Sequence, residues 1–236
     1  SSMAQASAIF ANNSIKTWIA EPQAEYEIMF SKGRINVLGG MTFQKNLREG
    51  ETAQGSGYNS DALLESIKGA SAVVIREANY ADYRYNAVFG RISYNYDGKY
   101  LLNFTARRDG SSRFGPSRQF ANFGAFGIGW VFSQERFIKN NFTLLSFGKL
   151  RGSYGITGND QIGDYGYLDT YAPASLQYQG SSVLVPTRLY NPDYGWETNR
   201  KLELAMELGF LGDRIFFEAN YYRNRSDNQL VGYSLP

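Results

Sequence analysis

A chain of 236 residues with 24 Lys+Arg against 22 Asp+Glu has room for one large domain or two small ones, and this near-neutral balance argues against a nucleic-acid partner. It contains no Cys and no His, so disulfides, thiolate nucleophiles, Cys/His zinc sites and imidazole bases are excluded, whereas carboxylates, Lys, Tyr and Ser remain available. Aromatics and glycine are abundant, yet no stretch reaches the roughly 18 apolar residues of a membrane helix. The opening Ser1-Ser2-Met3-Ala4-Gln5 lacks the basic and apolar regions of an export signal, and the chain reads as a fragment.

Along the chain the dominant signal is alternation with period two. Ala24, Tyr26, Ile28 and Phe30 alternate with Glu25 and Glu27, and Ile35, Val37, Gly39, Met41 and Phe43 with Asn36, Thr42 and Gln44. Lys45–Ala81 then reads as a long loop, holding a short helix over Asn59–Ala70 that Asn59 or Ser60 caps and Gly69 stops. Val88, Ile92, Tyr94 and Tyr96 alternate with Arg91, Ser93 and Asn95, and Leu102, Phe104 and Ala106 with Asn103, Thr105 and Arg107. A glycine-rich run from Asn122 to Phe132 is a less regular strand. Ser133–Leu145 follows, with one or two helical turns capped by Ser133. Leu150, Tyr154 and Ile156 alternate with Lys149, Arg151 and Ser153; after a second long loop, Gly158–Gly195, two more alternating runs cover Lys201–Phe210 and Arg214–Tyr221. The fold class is therefore all-β, about eight antiparallel up-and-down strands with short helices in loops.

Three connections are tight: Ser31-Lys32-Gly33-Arg34, Tyr96-Asp97-Gly98-Lys99 and Leu211-Gly212-Asp213-Arg214. Each places Gly centrally, as two-residue hairpin loops need for positive φ. By strand parity all three fall at one end of the strands and both long loops at the other. That asymmetry belongs to outer-membrane barrels, with short periplasmic turns and long extracellular loops. Aromatics gather near strand ends: Tyr94, Tyr96, Tyr100, Trp130 and Phe132 at the turn end, Tyr83 and Tyr85 at the other, as two girdles would. In a barrel, Val88, Ile92, Tyr94, Leu102, Phe104, Leu204, Met206, Leu208 and Phe217 face lipid. Arg91, Asn103, Lys149, Arg151, Glu203, Glu207 and Glu218 face the lumen. The competing reading is a soluble carbohydrate-binding β-sandwich whose aromatics stack on sugars.

Catalysis has little to stand on. Glu203 with Glu207, or Asp160 with Asp164, are the nearest carboxylate pairs for glycoside hydrolysis, but strand positions four apart read first as hydrophilic lining. No phosphate-binding loop, nucleophile elbow or calcium-loop spacing occurs, so no catalytic residue, metal or cofactor is assigned. A ligand-binding set is assigned instead to the second long loop: Asn159, Asp160, Asp164, Tyr165, Tyr167, Tyr171, Tyr178 and Gln179, where phenol rings stack on sugars and polar groups bond to ligand hydroxyls. Arg107, Arg108 and Arg113 have two readings: contact with lipopolysaccharide or substrate at the rim, or pairing to neighbouring carboxylates around an Asp109-Gly110-Ser111-Ser112 turn.

Specific motifs carry a family likeness. FGRISYNYDGKY (Phe89–Tyr100), YLLNFTARRDGSSRFGP (Tyr100–Pro116), KLRGSYGITGNDQIGDYGYL (Lys149–Leu168) and the stretch Asn191–Leu230 strongly resemble the SusC/RagA type of TonB-dependent importer; before Ala81 only strand pattern supports the likeness. The resemblance implies a transmembrane barrel of about 22 strands, of which this chain supplies part of the wall, with plug and C-terminal strands absent. It further implies a Gram-negative outer-membrane location and import of glycans or peptides. The implied partners are a SusD-like surface lipoprotein, TonB through an N-terminal part not recognisable here, and outer-membrane lipid or lipopolysaccharide.

Overall fold

The computed structural model describes residues 6–178 and 181–230. Its strands are β1 (Ser7–Ala20), β2 (Gln23–Phe30), β3 (Gly33–Ser56), β4 (Ala72–Tyr96), β5 (Tyr100–Ser111), β6 (Phe120–Trp130), β7 (Leu145–Asn159), β8 (Thr170–Tyr178), β9 (Ser181–Arg188), β10 (Glu197–Phe210) and β11 (Ile215–Asp227). Helix is limited, among the described residues, to α1 (Arg136–Asn141) and three 3-10 turns. All eight expected strands are present, and β1, β8 and β9 are additional to them. By internal contacts the chain divides into two compact units, Ser1–Ile19 with Gln44–Arg84, and Ala20–Phe43 with Tyr85–Pro236.

In the first unit, β1, the second half of β3 and the first half of β4 lie side by side. Lys45–Ala81 is thus mostly strand, and the connection proper is only residues 57–71. Lys45–Ser56 carries polar residues at both parities, so it has no apolar stripe to mark it as a strand. Its partners are polar too: Asn46 donates to Thr17 at 2.6 Å, Arg76 Nε to Gln54 at 2.6 Å, and Lys45 pairs with Asp82 at 3.5 Å. The expected helix over Asn59–Ala70 is two 3-10 turns, Asp61–Leu63 and Ile67–Gly69. Ser60 does cap the first, its hydroxyl accepting from the Ala62 N–H at 3.3 Å.

In the second unit the order is β2-β3-β4-β5-β6-β7-β10-β11, with β8 and β9 a separate hairpin. Antiparallel register fixes two faces. On one, Tyr94, Leu102, Ile128, Gly152, Leu204 and Tyr221 stand opposite one another across six strands, and Tyr96, Tyr100, Trp130, Leu150, Met206 and Ala219 form the next row. Val88, Ile92, Phe104, Leu208 and Phe217 share this face. It is bare: Ile92 is 50% and Phe104 52% exposed, with no second layer of described residues over them. A sandwich would bury such a face; an apolar expanse of this extent calls for a lipid or protein covering.

The tight turns are bonded to the neighbouring connections at the same end. The Asp97 N–H donates to the Lys32 carbonyl at 2.8 Å, Val131 to Lys99 at 2.8 Å and Leu211 to Leu144 at 3.0 Å. Asp97 and Gly98 take φ of 55° and 68°, and Leu211, Gly212 and Asp213 take 55°, 68° and 62°. The first turn differs: the positive φ is at Ser31 (48°), not Gly33. Gly33 is needed for space, because a Cβ there would lie 2.6 Å from the Phe30 ring. Ser133 is not a helix cap; it is buried inside a 3-10 turn, and Glu135 precedes α1. Glu135 instead gathers the turn-end aromatics, accepting from the Tyr100 hydroxyl at 2.7 Å and the Trp130 indole N–H at 3.3 Å. The Tyr100 bond, followed by Trp130 and Lys99, holds the Glu135 carboxyl below its usual range.

At the opposite end of this unit lies its small apolar core, Phe114, Phe123 and Trp196. The Phe114 and Trp196 rings are 4.8 Å apart, Phe123 and Trp196 5.5 Å, and the Trp196 indole N–H donates to the Gln119 carbonyl at 3.0 Å. These three rings tie together residues 112–119, the top of β6 and the entry to β10. Phe114→Ala should cost about 3–5 kcal/mol by emptying a fully buried site. Limited proteolysis of the folded protein should then cut first within residues 112–119 or 160–169, before any strand.

Candidate functional site

The other face of the same sheet is polar. Its residues alternate with the apolar rows, so Arg91, Ser93 and Asn95 on β4 share a face with Asn103 and Thr105 on β5, Arg151 and Ser153 on β7, Glu203 and Glu207 on β10, and Glu218 and Asn220 on β11. Arg151 is the hub. Its guanidinium lies 2.8 Å from Glu203, 3.2 Å from Glu207 and 3.5 Å from Glu218, and it donates to Asn220 at 3.2 Å. Lys149 reaches Glu207 at 3.8 Å. Across the unit, Arg91 pairs with Glu25 at 3.5 Å, and Glu25 accepts from Asn36 at 2.7 Å. Glu25 and Asn36 were visible as the polar partners of an alternating run, but nothing in sequence placed them beside Arg91.

Between these groups β6 presents Ala125, Gly127 and Gly129, which leaves room. A cavity of about 770 Å³ opens over the two glycines, lined among others by Glu25, Arg91, Asn103, Arg151 and Glu203. Glu203 and Glu207 are bridged by one arginine, which suits a polar wall.

The second cluster is at the loop end. Arg113 donates from Nε to Asp164 at 2.8 Å and from Nη1 to the Asp160 carbonyl at 2.6 Å, so the Arg107–Gly115 motif clamps the loop after β7. Arg107 bonds to Asp109 and the Tyr85 hydroxyl and lies over the Phe89 ring at 5.6 Å. Tyr85 therefore stands on the polar face and is no part of an outer girdle; Tyr83 is buried in the first unit. Arg108 alone of the three points to the apolar face, 5.4 Å over Phe120.

The loop residues singled out from sequence do not converge on one point. Asn159 donates to Glu197 at 2.9 Å. Tyr165 takes a φ of 56°, and Tyr167 packs near Gly115. Tyr171, on β8, is exposed and donates its hydroxyl to Asp169 at 3.0 Å, a bond that raises the phenol pKa. Tyr178 lies in β8 with its side chain outside the described part, and Gln179 lies outside the described residues. Trp196, Phe114 and Gln119 were missed because single aromatic and Gln residues in loops carry no periodicity. Among the described residues no group of His, Cys, Asp or Glu could hold a metal ion.

Arg151→Gln should lower stability by about 1 kcal/mol at low salt, because three carboxylates lose a shared cation. The deficit should shrink in 1 M salt, where charges several ångströms apart are screened. Thermal melts at both ionic strengths, against a Ser153→Ala control, check this.

Comparison with known proteins now bears on the site. Residues 8–236 match the family described as TonB dependent receptor-like, beta-barrel. A TonB-dependent receptor of Formosa agariphila is 30% identical over 97% of this chain and 23% of its own length. The TonB-dependent receptor SusC of Bacteroides thetaiotaomicron is 33% identical over 63% of this chain and 15% of its own. Among solved structures, the RagAB peptide transporter superposes with a TM-score of 0.84 at 24% identity, over 97% of this chain and 25% of that one. The chain thus spans about a quarter of the length of the relatives it matches end to end. A bare apolar face, a polar face bridged by arginine, and tight turns gathered at one end are what a membrane barrel wall requires, and the chain belongs to the TonB-dependent receptor β-barrels.

Proposed function

We propose that this chain is a wall segment of an energy-coupled outer-membrane importer in a Gram-negative cell, taking up glycans or peptides. In this reading the apolar face meets lipid and the Arg151 face lines the lumen, where the cavity over Gly127 and Gly129 lies along the substrate path. The observation that carries it is the two-faced sheet: six registered strands whose central rows are apolar on one side and ion-paired on the other. The relatives' names support TonB as the energy source, and the resemblance to SusC implies a SusD-like lipoprotein as the extracellular partner. The protein binds its cargo and does not transform it: the strand carboxylates are paired to Arg151 and Lys149, and import needs reversible contacts. Tyr165, Tyr167, Tyr171 and Tyr178 are the proposed ligand contacts. Asn159, Asp160 and Asp164 belong to the same loop, where they position it through Glu197 and Arg113.

Two measurements test this. Met206 sits in the middle of the apolar positions that run from Leu202 to Phe210 along β10. Met206→Arg should cost about 2–4 kcal/mol in a bilayer, and Ser153→Arg on the polar face much less. Equal tolerance in a liposome-folding titration overturns the membrane assignment. Removing residues 171–180 from the full-length importer should abolish uptake of its glycan or peptide while the lipoprotein still co-purifies. Loss of the lipoprotein instead makes the hairpin a docking element, and unchanged uptake removes it from the ligand path.

A further inference from the structure

The apolar face does not end in neutral residues everywhere. Along β11 its positions read Ile215, Phe217, Ala219, Tyr221 and then Arg223, Arg225 and Asp227; along β10 they read Phe210, Leu208, Met206, Leu204, Leu202 and then Arg200. Arg200 and Arg225 are registered partners, directly opposite each other, and Arg223 is two residues along on the same face. Side chains so placed are about 5 Å apart at Cβ, and like charges there repel. Asp227 answers one of them, lying 3.3 Å from Arg200, which is itself 54% exposed. Among the described residues no carboxylate pairs with Arg223 or Arg225. Among the described residues three guanidinium groups thus face one carboxylate, on a patch that borders an apolar surface.

Immediately below, on the same face, is a shallow apolar groove of about 730 Å³ walled by Leu102, Ile128, Leu150, Leu204, Met206 and Tyr221. It exists because Gly152 puts no side chain between Ile128 and Leu204, and Ala219 puts only a methyl beside Met206. The Leu204–Tyr221 pair on its wall is two residues from the Leu202–Arg223 pair, a step of roughly 7 Å along the strands. Cationic forks above and a hydrocarbon channel beneath match one kind of molecule.

We infer that Arg200, Arg223 and Arg225 with the Gly152 groove form a docking site for a phosphorylated glycolipid of the outer leaflet, its phosphate on the arginines and an acyl chain in the groove. The inference rests on the membrane orientation proposed above, because the arginines lie at the end of the sheet away from the tight turns, the extracellular end. Guanidinium groups bind phosphate oxygens in pairs, and a phosphate placed between Arg200 and Arg225 turns their repulsion into a shared attraction.

The test uses the full-length importer in nanodiscs of phosphatidylcholine, titrated with diphosphorylated lipid A and read by native mass spectrometry. The wild type should retain lipid A, and Arg223→Gln/Arg225→Gln should weaken retention about tenfold or more, while Arg214→Gln at the turn end leaves it unchanged. Gly152→Leu, which fills the groove with the arginines intact, should also weaken it. Inorganic phosphate at millimolar concentration should not displace the lipid; displacement would mean a simple anion site and overturn the lipid assignment. Equal retention by wild type and the double variant overturns the inference while leaving the import reading intact, since uptake is measured separately in cells. Failure of the wild type to enter nanodiscs overturns both.

Discussion

Inside a bilayer no water is available to satisfy a peptide group, so every backbone N–H and C=O of a spanning segment must be bonded within the protein. Paired antiparallel strands meet this demand, and the rest of the structure follows from it. A paired strand has a side-chain period of two, so each strand of the second unit must offer alternate residues to different surroundings. Register then aligns those choices across neighbours: Phe104, Phe126, Tyr154 and Leu202 fall opposite one another, as do Asn103, Gly127, Ser153 and Glu203 on the reverse side. A slip of one residue in the pairing of β10 with β7 would bring Glu203 to the apolar face and Leu204 to the polar one. The ion pairs around Arg151 therefore do more to specify register than to add stability, since exposed pairs are individually weak.

What sequence revealed tracks this constraint. Wherever a strand separates an apolar from a polar environment, as in β2, β5, β7, β10 and β11, alternation marked it, and glycine with Asp or Lys marked the turns between. Where both sides of a strand are polar the signal vanished: the second half of β3, Lys45–Ser56, folds as a strand through backbone pairing and polar side-chain contacts and read as loop. The hairpin β8–β9 contains Pro173 and Pro186 and an irregular register, which hid it as well. The polar-face residues could be assigned to a common side from parity, but which carboxylate meets which cation depends on strand order. Arg91 with Glu25 is the clearest case, 66 residues apart in sequence.

The arginines show the same division. Arg107, Arg108 and Arg113 looked equivalent in sequence, yet one residue of offset sends Arg108 to the apolar face while Arg107 turns to Tyr85 and Asp109, and the bend after Ser111 delivers Arg113 to the Asp160–Asp164 loop. The motif that carries the family likeness is thus largely scaffolding for a loop end. Phe114 adds the buried contact there that a wet, irregular region otherwise lacks.

The backbone bonds that join Lys32 to Asp97, Lys99 to Val131 and Leu144 to Leu211 make the turns of the second unit successive links of one chain. Hairpins tethered in this way cannot lengthen one at a time: a residue inserted at Gly98 would dislodge the junctions on both its flanks, to Lys32 and to Val131. That rim is consequently the part of the wall least tolerant of a change in chain length, while an exchange of side chains leaves its backbone bonds in place.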